Sequence, residues 1–158
     1  METSEVKKLI TDNLNQTKMM QIATISDGKP WICNVWFVTD DDLNIYWLSS
    51  TKVRHSQAIS IDPNVAIAFY KFQQPSDPSV AGVQMEGTAE ILTDQEDIEK
   101  AIQLYSERIF GLDMIKQFMS SPYEPRRFYR AKASRFIVLD TAFSQEDPYH
   151  EYKPEIKG

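Results

Sequence analysis

The stretch Leu48–Gln57, LSSTKVRHSQ, gathers Lys52, Arg54 and His55 with Ser49, Ser50, Thr51 and Ser56. Residues of these types together suit an anion. Hydroxyls and cations donate hydrogen bonds, and a guanidinium grips an oxyanion through two parallel N–H groups. The surrounding chain is acidic, with 17 Lys and Arg against 23 Asp and Glu, and His55 is one of two histidines. If a helix starts near Lys52, all three bases fall in its first turn. The backbone N–H groups there are unpaired and the helix dipole is already positive. Exposed cations at that end cost about 0.3–1 kcal/mol each. A bound phosphate offsets this by accepting from the free N–H groups, from Ser49 and Ser50, and from Arg54. The competing reading is a solvated basic patch with Ser50 or Thr51 as an ordinary N-cap. This window alone leaves both open.

Other groupings carry less chemistry. Cys33 is the single cysteine, so no intrachain disulfide forms, and a reducing, cytoplasmic compartment is expected. Its apolar flanks make it a core residue, with a reactive thiol as the alternative. His55 and His150 with Cys33 are a poor set for zinc. Five glycines are scattered singly, which excludes a dinucleotide fold and a phosphate-binding loop of the Walker type. Asp40–Asp42 reads as a solvated turn, with a weak cation contact as the alternative, and Glu96 and Lys100 as an i,i+4 pair. Arg126, Arg127 and Arg130 of EPRRFYR read as partners of nearby acids, with an anion site as the alternative. The net charge of −6 and pI near 4.9 argue against a broad nucleic-acid-binding face. METSEVKKLI does not read as a signal peptide, and no run of about 18 apolar residues predicts a membrane span.

The elements that must position these residues follow from pattern. Val6, Leu9, Ile10 and Leu14 predict a helix over 3–14, capped by Thr3 or Ser4. MMQIATISDGKPWICNVWFV reads as two strands around Asp27-Gly28, a strong hairpin signal. TDDDLN turns into a third strand, IYWLSS, and the short helix follows over 52–60, ended by DPN at 62–64. VAIAFYKF is a buried strand, QQPSDPS a loop, and AGVQMEGTAEIL a strand whose Gly82 and Gly87 mark a bulge or a close approach. Asp94 caps a helix over 94–110, Gly111 stops it, and a shorter helix spans 112–120. RRFYRAKASRFIVLDTAF is a strand pair or one long bent strand. The reading is one domain over 1–143 with a surface tail over 144–158. Six strands joined by turns, with an apolar content of 42%, predict a small antiparallel β-barrel with flanking helices.

The run IATISDGKPWICNVWF, then IYWLSSTKVRHSQAISIDPNVAIAF, then GVQMEGTAEIL resembles the FMN-binding split-barrel proteins, the pyridoxamine 5′-phosphate oxidase-like superfamily, in a bacterial branch. The resemblance covers about residues 5–141 and rests on several weak motifs in order. It implies a mainly β, six-stranded antiparallel split barrel that binds FMN as a homodimer, with the cofactor at the interface. By it, Ser49, Ser50, Lys52, Arg54 and His55 hold the phosphate, and Asn34, Val35 and Trp36 face the flavin ring. Gln84 approaches the cofactor, in some members from the partner subunit. Trp31, Trp36, Trp47 and the 98–109 helix are the candidate dimer surface. A phosphate dianion beside His55 favours its protonated form, so binding is expected to weaken above neutral pH.

Departures accompany the likeness. Cys33 and Val38 stand where the oxidases carry cations, and His55 where the family commonly has Lys. The oxidases' C-terminal Arg-and-His substrate motif has no counterpart, which speaks against pyridoxamine phosphate as substrate. The implied function is an FMN-dependent oxidoreductase acting on an unknown small molecule or reductant. The alternative is a non-catalytic module binding flavin, haem or another phosphate-bearing cofactor, and His55 on a polar helix is a poor axial ligand for haem.

Overall fold

The computed structural model describes residues 1–70, 74, 76, 77, 79–142 and 144–155. Residues 73, 75 and 78 of the loop expected at 73–79, and the last two residues of the VAIAFYKF strand, lie outside the described residues. The elements are α1 (Thr3–Leu14), β1 (Met19–Ser26), β2 (Lys29–Trp36), β3 (Val38–Thr39), β4 (Ile45–Ser50) and α2 (Arg54–Ile61). Then come β5 (Asn64–Tyr70), β6 (Ala81–Ile91), α3 (Gln95–Arg108), α4 (Leu112–Ser120), β7 (Arg126–Asp140) and β8 (Tyr149–Tyr152). No described helix is long and apolar enough to cross a membrane.

The strands form one antiparallel sheet in the order β2-β1-β5-β6-β7-β4-β3, with β8 also on β7. Asp27 and Gly28 both take positive φ, 52° and 70°, as the tight β1–β2 turn requires. β2 and β3 occupy opposite ends of this order, yet only Phe37 separates them in the chain. A flat sheet cannot satisfy that, so the sheet curls until its ends lie side by side. The mainly β split barrel is therefore borne out, with eight strands rather than six. The C-terminal strand is single and long, pairing β6 on one side and both β4 and β8 on the other. Tyr149–Tyr152, within the expected surface tail, is thus a strand of the sheet.

Two apolar layers meet at β4. Trp47 and Ile45 point into the barrel beside Met20, Ile22, Phe37, Ile67 and Phe136. Tyr46 and Leu48 point the other way, into a second cluster beneath α3 and α4 with Ala101, Tyr105, Ile115 and Phe128. Alternation along the strand therefore buries all six β4 residues, and a fully buried apolar side chain contributes about 1.5–3 kcal/mol. Trp47 is fully buried and stacks on Tyr129 at 5.6 Å, so it is no part of an exposed dimer surface. Tyr105 of α3 is likewise buried.

Three local readings need correction. Glu2, not Thr3 or Ser4, caps α1, and its N–H donates to Glu5 Oε2 at 2.9 Å. Asp40 is not solvated: its side chain is 5% exposed and accepts from Asn44, from Tyr46 Oη at 2.9 Å and from Lys100 Nζ at 2.6 Å. Burial pushes its carboxyl up, but bonds from Asn44, Lys100 and Tyr46 outweigh this and hold it below the ordinary 3.8. Asp40 also takes the N–H groups of Asp42 and Asn44, which secures the turn that holds Leu43 at φ 62°. Lys100 therefore ties α3 to this turn instead of pairing with Glu96. Arg130 does pair with acids, Glu90 and Asp97.

The expected bulge sits at Glu86/Gly87, where the β6–β7 register shifts. A Cβ on Gly87 would lie 2.0 Å from the Lys132 carbonyl oxygen and 2.9 Å from Ala133 Cα, both backbone atoms. On Gly82 it would meet the Phe69 carbonyl oxygen at an ordinary 3.5 Å. Gly87→Ala should therefore destabilise the fold by about 1–3 kcal/mol, read as a lower urea midpoint at unchanged slope. Gly82→Ala should leave the midpoint much nearer to wild type.

Candidate functional site

β2 bonds to β1, and β4 bonds to β3 and β7, so the ends of β2 and β4 meet without a ladder between them. At this split the start of α2 covers a cleft of about 210 Å3. Asn34, Val35 and Trp36 line it from β2, Leu48, Ser49 and Ser50 from β4, Val53 and His55 from α2, and Glu124 and Arg126 from the approach to β7. Of the residues expected from sequence, the structure brings Asn34, Val35, Trp36, Ser49, Ser50 and His55 together here. A larger opening of about 1290 Å3 lies at the opposite ends of β2 and β4. Its Lys7, Lys132 and Lys153 are balanced by Asp42, Glu86 and Glu155. The small cleft is the better candidate, because hydroxyls, an imidazole and a guanidinium converge in it.

His55 is turned inward. Its Nδ1 lies 3.3 Å from Cys33 Sγ on β2, and its Nε2 lies 2.9 Å from Ser49 Oγ on β4. In a neutral imidazole one nitrogen donates and the other accepts, and thiol and hydroxyl can each take either role. Burial lowers the imidazole's pKa from the ordinary 6.5 and raises that of the Cys33 thiol from 9.0. Both groups are therefore neutral near pH 7. Burial thus favours the neutral imidazole in this geometry, and Cys33 packs against the barrel core as its flanks indicated.

The remaining expected residues stand apart. α2 begins at Arg54 with Val53 as its N-cap, so neither Ser50 nor Thr51 caps it, and Lys52 precedes the first turn. Lys52 Nζ donates to the Tyr123 carbonyl at 2.5 Å. The Arg54 guanidinium lies 4.3 Å over the Trp31 ring, outside the cleft lining. Gln84 is exposed on β6, across β1 and β5 from β2. Sequence reading weighed an anion site at residues 124–130 but favoured Arg126 as a partner of acids and gave Glu124 no role, because only the β4–β7 register carries both to the split. That register sets Arg126 opposite Ser50.

Residues 6–140 match the pyridoxamine 5′-phosphate oxidase family, and the chain belongs to it. No curated protein matches the chain. Among solved structures, a haem-binding protein from Mycobacterium smegmatis superposes with a TM-score of 0.74 at 17% identity, over 98% of this chain and 59% of that one. HutZ, a haem storage protein from Vibrio cholerae, gives 0.67 at 18% identity over 84% and 91%. A putative pyridoxamine 5′-phosphate oxidase from Listeria innocua gives 0.65 at 17% identity over 85% and 98%. At these identities the likeness is one of fold, and the chain spans 59% of the length of the mycobacterial protein.

The buried imidazole makes stability depend on pH. As pH falls below about 6.5, the unfolded chain takes up a proton that folded His55 resists, so stability declines. Denaturant midpoints should fall between pH 8 and pH 5.5 in wild type, and fall less in His55→Gln. Equal pH dependence in the two proteins would show that the imidazole is not held as described.

Proposed function

We propose that this protein binds FMN at the split as a homodimer and serves as an oxidoreductase for a small molecule. The observation that carries the reading is the cleft itself. Buried hydroxyls of Ser49 and Ser50 stand beside the start of α2, whose Val53 N-cap offers no side-chain acceptor for the helix N–H groups. A phosphate fits that donor set. The cleft's 210 Å3 is below the roughly 300–1,000 Å3 of whole-ligand sites, so it suits one end of the cofactor and needs a further surface for the ring. A second copy can supply it. The edge strand β2 leaves Ile32 and Trp36, which share one face, 63% and 43% exposed, an apolar face that another β2 region can cover.

When bound, FMN supplies hydride or single-electron transfer at its ring, which needs no acid–base pair from the protein. The chain's own contribution is to bind and orient. Ser49 and Ser50 take the phosphate end, Asn34–Trp36 offer backbone to the ring edge, and the aromatic face excludes water. Gln84, exposed on β6, is available to the partner's site. A haem reading draws support from relatives whose names mention haem. Against it, both ring nitrogens of His55 are engaged by Cys33 and Ser49, so His55 offers no lone pair to iron.

The test begins with colour. Native protein should be yellow, release FMN identified by mass, and bleach with a reduced nicotinamide or dithionite without air. Trp36→Glu should lower both the dimer fraction, by light scattering, and FMN retention. Colourless protein that takes up haem but not FMN would overturn the flavin reading.

A further inference from the structure

We infer that Arg126, rather than the Lys52–Arg54–His55 cluster, recognises the anionic end of the ligand, a phosphate monoester. The inference rests on the flavin reading above and assigns its anion contact to a residue outside the sequence motif. The chain has six arginines. Arg108 and Arg127 donate to backbone carbonyls, and Arg130 and Arg135 to carboxylates. Among the described residues the side chains of Arg54 and Arg126 make no hydrogen bond or ion pair. Of these two, only Arg126 lines the cleft.

Its geometry suits the task. The guanidinium lies 4.0 Å over the Phe118 ring of α4. Stacking uses the flat face of the group and leaves its in-plane N–H fork for an oxyanion. Arg126 is the cross-strand partner of Ser50, and directly opposed residues share a face. Alternation along β4 puts Ser49 and His55 on the other face. The end of β4 thus presents a hydroxyl on each side and one uncommitted cation. The segment leading to Arg126 is pinned, since Thr51 N–H donates to the Pro125 carbonyl at 3.4 Å and Lys52 Nζ to that of Tyr123. Lys52 is therefore a positioning residue. Glu124 lines the same cleft and opposes an anion, so its neutralisation should strengthen binding.

The test compares FMN with riboflavin, the same ring without phosphate, by flavin fluorescence on dialysed protein. Wild type should prefer FMN. Arg126→Gln should weaken FMN by about 10- to 100-fold and leave riboflavin unchanged. Glu124→Gln should tighten FMN, and Arg135→Gln, which removes a surface cation elsewhere, should do neither. If Arg126→Gln is unfolded by circular dichroism, Phe118→Leu replaces it: charge stays, the aromatic platform goes, and the FMN preference should shrink. An FMN preference that survives in the folded variant overturns the Arg126 assignment and leaves the flavin reading standing. If wild type binds neither flavin, that reading falls. A thermal shift by inorganic phosphate, present in wild type and lost in Arg126→Gln, then supports the anion site, and no shift overturns it.

Discussion

The architecture depends on a connection too short for a flat sheet. β2 and β3 are the two ends of the strand order, and Phe37 alone joins them. Phe37 is buried, packs on Phe69 at 4.8 Å and donates its N–H to the Lys18 carbonyl. Curling is the geometric solution, and it leaves a seam where β2 and β4 approach without a backbone ladder. Unpaired backbone groups at such a seam need partners or water. α2 covers it, and one imidazole crosses it. His55 touches Cys33 on one strand and Ser49 on the other, which makes the split both closed and polar.

That crossing gives the chain's departures from its family a shared physical sense. The resemblance puts cations near the positions of Cys33 and His55. Here those residues are in contact, and burial favours the neutral form of each. Two cations at that distance would repel, whereas a thiol and an imidazole share a hydrogen bond. The positive charge of the cleft then comes from β7, through Arg126. Family membership and fold belong to the chain as a whole, while the ligand is a matter of which side chains the seam presents.

The second apolar layer decides how β7 reaches the site. α3 and α4 pack over the outer face of β4 through Tyr105 and Ile115, with Phe128 of β7 beside them, and Lys100 fastens α3 to the Asp40 turn. Phe118 of α4 then lies under the Arg126 guanidinium. A helical insertion that looks peripheral along the chain thus backs the arginine that lines the cleft.

Much of this was legible in local pattern. The Asp27-Gly28 turn, the apolar i,i+4 face of α1, the Asp94 cap and the bulge glycine at 87 each reflect the chemistry of a few adjacent residues, which sequence carries directly. So did the grouping of Ser49, Ser50 and His55 with Asn34–Trp36, by resemblance. What tertiary structure alone decided is which way side chains turn and what they meet. Asp40 reads as a solvated acid until Tyr46 and Lys100 arrive, the latter 60 positions away. Trp47 reads as a surface candidate until the barrel encloses it. Arg54 and His55, adjacent in the helix, go to Trp31 and to the interior, because one helical step rotates a side chain by about 100°. Arg126 enters the site through strand register, a long-range pairing that composition and spacing do not encode.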